Sequence, residues 1–211
     1  MTRGRFITFE GIEGAGKSSL SRALAAALAA QEGAPTGRAI ISTREPGGTP
    51  LAEDIRALVL ARRDTGMPPA TELLLMFAAR SAHVAQLIEP ALARGDWVLC
   101  DRFTDASRAY QGGGRGVDSC IIEDLARMAH PGLTPDLTLL LDLPPEIGLQ
   151  RARGRGDAGD RFEDEALAFF ARVRSSYLEL AKHQPQRIHV LDATQSPQAL
   201  LQQALVLVKG L

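Results

Sequence analysis

Gly11, Gly14, Gly16, Lys17 and Ser18 stand in the spacing G-x-x-x-x-G-K-[ST], after an apolar run, Phe6 to Phe9, and at the mouth of a helical pattern. Glycines let the backbone turn so that successive N–H groups face a phosphate chain, and the dipole of the following helix adds positive potential there. Lys17 can reach β- and γ-phosphates, and the Ser18 hydroxyl can ligate Mg²⁺. Gly11, Glu13, Gly14, Ala15, Gly16, Lys17, Ser18 and Ser19 are therefore expected to hold ATP or a similar triphosphate.

Asp101-Arg102 closes another apolar run, Trp97 to Cys100. Its chemical reading puts Asp101 near the metal and Arg102 on a substrate phosphate; a surface ion pair or helix cap is the alternative. Arg151, Arg153, Arg155 and Arg161 surround a glycine-bearing segment, with Arg151 and Arg155 on one helical face. They form either a solvated face or a lid whose guanidiniums meet a transferring phosphoryl group. Phe77 and Arg80 share a face at i, i+3, as core or as part of a slot. His83, His130, His183 and His189 lack metal-ligand spacing, and no nucleophilic triad is present.

These residues need a scaffold that gathers strand ends. Strand patterns occur at Phe6–Phe9, Ala39–Thr43, Trp97–Asp101, Leu137–Asp142 and Ile188–Leu191. Helical patterns run from Lys17 to about Gln31, Leu51 to Leu60, Ala70 to Arg94 with a kink or boundary at Pro90, Ile121 to His130, Pro145 to Arg153, Glu163 to about His183, and Pro197 to Val208. Gln111 to Gly116 is read as too glycine-rich for a regular element. Strands separated by helices predict an α/β fold: a five-stranded parallel sheet with helices on both faces. We read residues 1–211 as one domain with a short mobile lid at about 151–163. Ligands in such sheets gather at the carboxyl ends of strands, where the phosphate loop, Arg44 and Asp101-Arg102 all fall.

A net charge of −1 gives no global basic field for nucleic acid or a membrane surface. Only Lys17, Lys182 and Lys209 are lysines, so the cationic work falls to arginine, whose fork binds phosphate bidentately. Cys100 and Cys120 have no C-x-x-C spacing and read as free thiols of a reducing compartment. No run approaches the ~18 apolar residues of a membrane span, and no signal-peptide core precedes Glu10. A soluble, cytoplasmic protein is expected.

Phe9-Glu-Gly-Ile-Glu-Gly-Ala-Gly-Lys-Ser18, Thr43-Arg-Glu-Pro-Gly-Gly-Thr49, Asp101-Arg-Phe103, Ala109-Tyr-Gln-Gly-Gly-Gly-Arg-Gly116, Pro135-Asp-Leu-Thr138, Asp160-Arg-Phe-Glu163 and Asp192-Ala-Thr194 together resemble bacterial thymidylate kinases, over essentially the whole chain. The resemblance implies the P-loop nucleoside-monophosphate-kinase fold, Mg²⁺, a homodimer, and transfer of the ATP γ-phosphoryl group to dTMP. It places Lys17 and Ser18 on ATP and metal, Arg102 and Arg56 on the dTMP phosphate, and Arg44 in the same site. Pro46 with Phe77 or Met76 would shape the thymine slot, and Arg80, Ser107 and Gln111 would read its edge. Tyr110 would block a ribose 2′-hydroxyl, Glu13 would face the 3′-hydroxyl, and Thr194 would line the adenine pocket. With no arginine in the phosphate loop, Arg155 and then Arg151 would supply catalytic charge. Two alternatives stand beside this: a P-loop kinase for another nucleoside monophosphate or a deoxynucleoside, and a non-kinase nucleotide switch.

Overall fold

The computed structural model describes residues 3–30, 38–154, 162 and 165–211. The loop expected at 32–37 and most of the expected lid, including Arg155, Arg161 and Glu163, lie outside the described residues.

Five parallel strands form one sheet in the order β2-β3-β1-β4-β5. They are β1 (Phe6–Glu10), β2 (Ile40–Arg44), β3 (Trp97–Asp101), β4 (Leu137–Asp142) and β5 (Ile188–Asp192). Every residue of the central β1 is buried, which is why it reads as an unbroken apolar run rather than an alternating one. Alternation instead divides its side chains between the two faces. Ile7 and Phe9 join Leu99 in one core, with Leu20, Leu24 and Leu28 of α1 (Lys17–Ala30). Phe6 joins Val98, Cys100 and Phe103 in a second core on the opposite face.

The remaining helices are α2 (Pro50–Leu60), α3 (Pro69–His83), α4 (Glu89–Ala93), α5 (Thr104–Ser107), α6 (Ser119–Ala129), α7 (Pro145–Arg153), α8 (Leu167–His183) and α9 (Pro197–Val208). A π-helical turn, Val84–Ile88, joins α3 to α4, so Pro90 falls just past a boundary where its missing N–H costs little. α6 begins two residues earlier than its apolar pattern because Asp118 accepts from Cys120 N at 2.8 Å. α8 begins at Leu167 rather than Glu163, since Ala166 is extended with ψ 152°.

The larger correction concerns the glycine run. Arg108–Gly114 is a regular π-helical segment, not an irregular loop. Its glycines serve contact with α8: a Cβ on Gly113 would lie 2.6 Å from Ser176 Cβ, and one on Gly114 would lie 2.5 Å from Phe169 Cε2. No helix among the described residues is long and apolar enough to cross a membrane.

Candidate active site

The phosphate loop leaves the carboxyl end of β1 and is braced from behind by α7. Gly14 has φ +72°, and a Cβ there would sit 2.0 Å from the Gly148 carbonyl oxygen, so no larger residue fits. Ala15 is buried beneath the loop, while Gly16, Ser18 and Ser19 face outward. Lys17 Nζ donates to the Ile12 carbonyl at 2.9 Å and lies 3.9 Å from Glu13 Oε2. Burial, aided by Arg102, pushes its pKa down.

β3 pairs directly with β1, Phe9 opposite Asp101, which carries Asp101 to the loop. Ser18 Oγ donates to Asp101 Oδ2 at 2.6 Å. Two oxygens at the edge of a phosphate-binding loop fit Mg²⁺, which takes few protein ligands and completes its shell with phosphates and water.

Arg102 follows with φ +73°, the one non-glycine residue of positive φ among those described. Its Nη1 donates to the Gly11 carbonyl at 2.9 Å and to Tyr177 Oη at 3.3 Å; its Nη2 donates to Tyr110 Oη at 3.1 Å and pairs with the Glu13 carboxylate. The guanidinium lies 4.7 Å from the Tyr110 ring centroid. Beneath it, Glu10 ends β1 fully buried, accepting from Phe103 N at 2.7 Å and Tyr177 Oη at 2.6 Å. Burial, then the neighbouring Asp105 charge, raises the Glu10 pKa to about 7.

A cavity opens beside the loop, with Arg102 and Glu13 at the junction; Pro46, Arg56, Met76, Tyr110 and Gln111 line it, together with Glu45, Leu60, Ala106 and Phe162. Arg56 Nη1 donates to the Pro46 carbonyl at 2.8 Å. The Glu45–Pro46 peptide is cis.

Several expected residues stand behind this wall rather than on it. Met76, not Phe77, lines the cavity; Phe77 packs instead with Leu73, Ile122 and Ala126. Arg80 is 1% exposed and divides its donors among Glu45 Oε2 at 2.7 Å, Ser107 Oγ at 3.1 Å and the Phe103 carbonyl at 3.0 Å. Its guanidinium lies 4.6 Å from the Phe77 ring centroid. Arg44 is exposed and its Nη2 donates to both oxygens of the Glu53 carboxylate, 3.0 Å to each, while Glu53 Oε1 accepts from Gly48 N at 2.8 Å. Arg44 thus steadies the turn that carries Pro46 instead of entering the cavity.

The second group of expected ATP residues meets at the end of β5. Arg151 Nη1 donates to the Ala193 carbonyl at 2.9 Å, and Thr194 Oγ1 donates to Asp192 Oδ1 at 2.6 Å.

Residues that escaped the sequence reading are mostly buried carboxylates. Glu45 is held below the usual carboxylate range because Arg80 and His83 outweigh the effect of its burial. Glu10 had a visible signal, since it ends an apolar strand as Asp101 does. Tyr177, 75 residues from Arg102 and 167 from Glu10, had none.

A triphosphate loop at the central strand, set against a separate arginine-walled acceptor cavity, is the plan of a P-loop phosphotransferase of the nucleoside-monophosphate-kinase type. The thymidylate kinase family model matches residues 9–204. A thymidylate kinase of Cupriavidus pinatubonensis is 54% identical over 198 residues, 94% of each chain. One of Pseudomonas syringae pv. tomato is 58% identical over 193 residues, 92% of this chain and 89% of that one. The crystal structure of thymidylate kinase from Ehrlichia chaffeensis superposes with a TM-score of 0.80 at 31% identity, covering 98% of this chain and 99% of that one. The chain belongs to the thymidylate kinase family.

Proposed function

We propose that the chain transfers the γ-phosphoryl group of ATP to dTMP, giving dTDP and ADP on the way to dTTP. The observation that carries this reading is the position of Arg102, at the seam between the phosphate loop and the cavity. There its fork can take the acceptor phosphate and hold it in line with the γ-phosphate.

Each remaining residue has a role in that geometry. Lys17, seated against Ile12, presents its ammonium to the β- and γ-phosphates. Ser18 and Asp101 would hold Mg²⁺, which when bound neutralises charge on the phosphates. Glu13 would exchange part of its pairing with Arg102 for the 3′-hydroxyl of the sugar. Tyr110, pinned by Arg102 and Glu13, fills the space a ribose 2′-hydroxyl needs. Met76 and Pro46 take opposite sides of the base. Gln111 Oε1, buried and accepting no hydrogen bond among the described residues, suits the ring N–H of thymine. Arg80, with Ser107, supports this slot through Glu45. Arg155 and Arg151 supply charge during transfer, and Thr194 borders the adenine.

The protein works as a homodimer in the cytoplasm on this reading. Leu51 and Leu58 of α2 and Leu74 of α3 are more than half exposed, at 52%, 52% and 57%, an apolar face suited to a symmetric partner.

A coupled ADP-release assay with ATP and a panel of monophosphates tests the reaction. The expected result is turnover with dTMP well above TMP, dCMP and dGMP. Preferred turnover of another monophosphate would make this a different kinase, and ADP release without any acceptor dependence would favour a hydrolysing switch.

A further inference from the structure

A buried carboxylate outside the cavity faces one of the residues that line it. Glu72, on α3, is 0% exposed. Its Oε1 accepts from Gln111 Nε2 at 2.7 Å, and its Oε2 accepts from Arg115 Nη2 at 3.3 Å. Arg115 is held in turn by Glu165 Oε1 at 2.6 Å and lies 4.6 Å from the Phe169 ring centroid. Glu72 is not among the residues that line the cavity; Gln111 is.

A carboxylate paired with arginine only accepts hydrogen bonds, so a carboxamide facing it must turn its NH₂ that way. The orientation of Gln111 is therefore imposed, and its Oε1 is left buried without a donor among the described residues. The two other buried orphan atoms among the described residues, Thr49 Oγ1 and Trp97 Nε1, belong to residues that do not line the cavity.

We propose that Glu72 is a positioning residue for base selection: it locks the Gln111 carboxamide so that the slot offers an acceptor only. A base with a ring N–H at that edge, thymine or uracil, satisfies the buried oxygen. Cytosine presents a lone pair there and leaves two acceptors opposed. Specificity arises from the repulsive contact as much as from the bond. The proposal rests on the reading that the cavity takes a pyrimidine monophosphate.

Glu72→Gln can offer its neighbour either an oxygen or an NH₂, so Gln111 becomes free to invert. Equilibrium affinities and kcat/KM for dTMP and dCMP, with the KM for ATP as control, report the change. We expect the preference for dTMP over dCMP to fall at least about tenfold, chiefly because dCMP improves, while the KM for ATP stays within about twofold. In a Gln111→Met background, adding Glu72→Gln should change the ratio no further. An equal loss for both nucleotides, or an undiminished effect in the Gln111→Met background, would make Glu72 merely structural and overturn the proposal. Should the parent itself prefer dCMP, the functional reading fails instead, a distinct outcome.

The unmodified protein gives a check independent of folding in the variant. The Gln111 carboxamide signal, assigned by its loss in Gln111→Met, should show one downfield N–H protected from exchange. Carboxamide protons at the shifts of a solvent-exposed glutamine, with no protection from exchange, would overturn the lock.

Discussion

Tyr177→Phe removes one oxygen from the buried relay beneath the acceptor site. The phenol donates to Glu10 Oε2 at 2.6 Å and receives Arg102 Nη1 at 3.3 Å. Without it, among the described residues, Glu10 keeps the Phe103 N–H, and Arg102 keeps Gly11, Tyr110 and Glu13. Stripping a donor from a buried carboxylate costs about 2 kcal/mol. The cost depends on pH, because the raised Glu10 pKa of about 7 lies above its ordinary 4.5. A raised acid contributes stability below its unfolded pKa and loses it as pH rises through the folded one. The tyrosine bond favours the ionised form, so its loss raises the Glu10 pKa further and hurts most where Glu10 must ionise. Urea unfolding should therefore find the variant less stable by about 2 kcal/mol at about pH 8 and by roughly half that at about pH 5.5. Arg102 would also sit more loosely, raising the KM for dTMP several-fold and leaving that for ATP unchanged. Equal destabilisation at both pH values, with an unaltered KM for dTMP, would refute the relay.

Lys17→Met should leave the unfolding free energy near that of the parent and lower kcat by about 10²–10³-fold, as a charge is lost from the developing transition state; near-parental turnover would remove the phosphate-loop assignment. Arg155→Ala should reduce the single-turnover rate on the order of 10³-fold with little rise in the KM for dTMP, and lysine should rescue little of it. Unchanged rates in both Arg155→Ala and Arg151→Ala would place the catalytic charge elsewhere. Light scattering at micromolar protein should give the mass of a dimer, and a Leu74→Glu substitution should shift it toward the monomer; a monomeric parent would contradict the α2–α3 face.

What was legible in the chain was what is local. The phosphate loop is a fixed spacing, and strand ends are marked by Asp101 and Asp142 after apolar runs. Helix faces follow from the recurrence of Leu20, Leu24 and Leu28. Choices settled by tertiary contact were not legible. Met76 and Phe77 are adjacent, and only the packing of Phe77 against Ile122 and Ala126 of α6 decides which meets the cavity. The run Gly112-Gly113-Gly114 reads as too glycine-rich for a regular element because its reason, the close approach of α8, lies more than fifty residues away. Glu45 and Glu72 carry no spacing signal, since a buried carboxylate is recognised by its partner and each partner comes from another element.

On the proposed function, phosphate leaves ATP for a nucleotide held in the cavity rather than for water. ATP carrying ¹⁸O in its γ-phosphoryl oxygens, incubated with the protein, Mg²⁺ and dTMP, tests this by mass spectrometry of the products. The label is expected in the terminal phosphate of dTDP, with inorganic phosphate unlabelled. Label appearing in inorganic phosphate, with dTMP recovered unchanged, would contradict it.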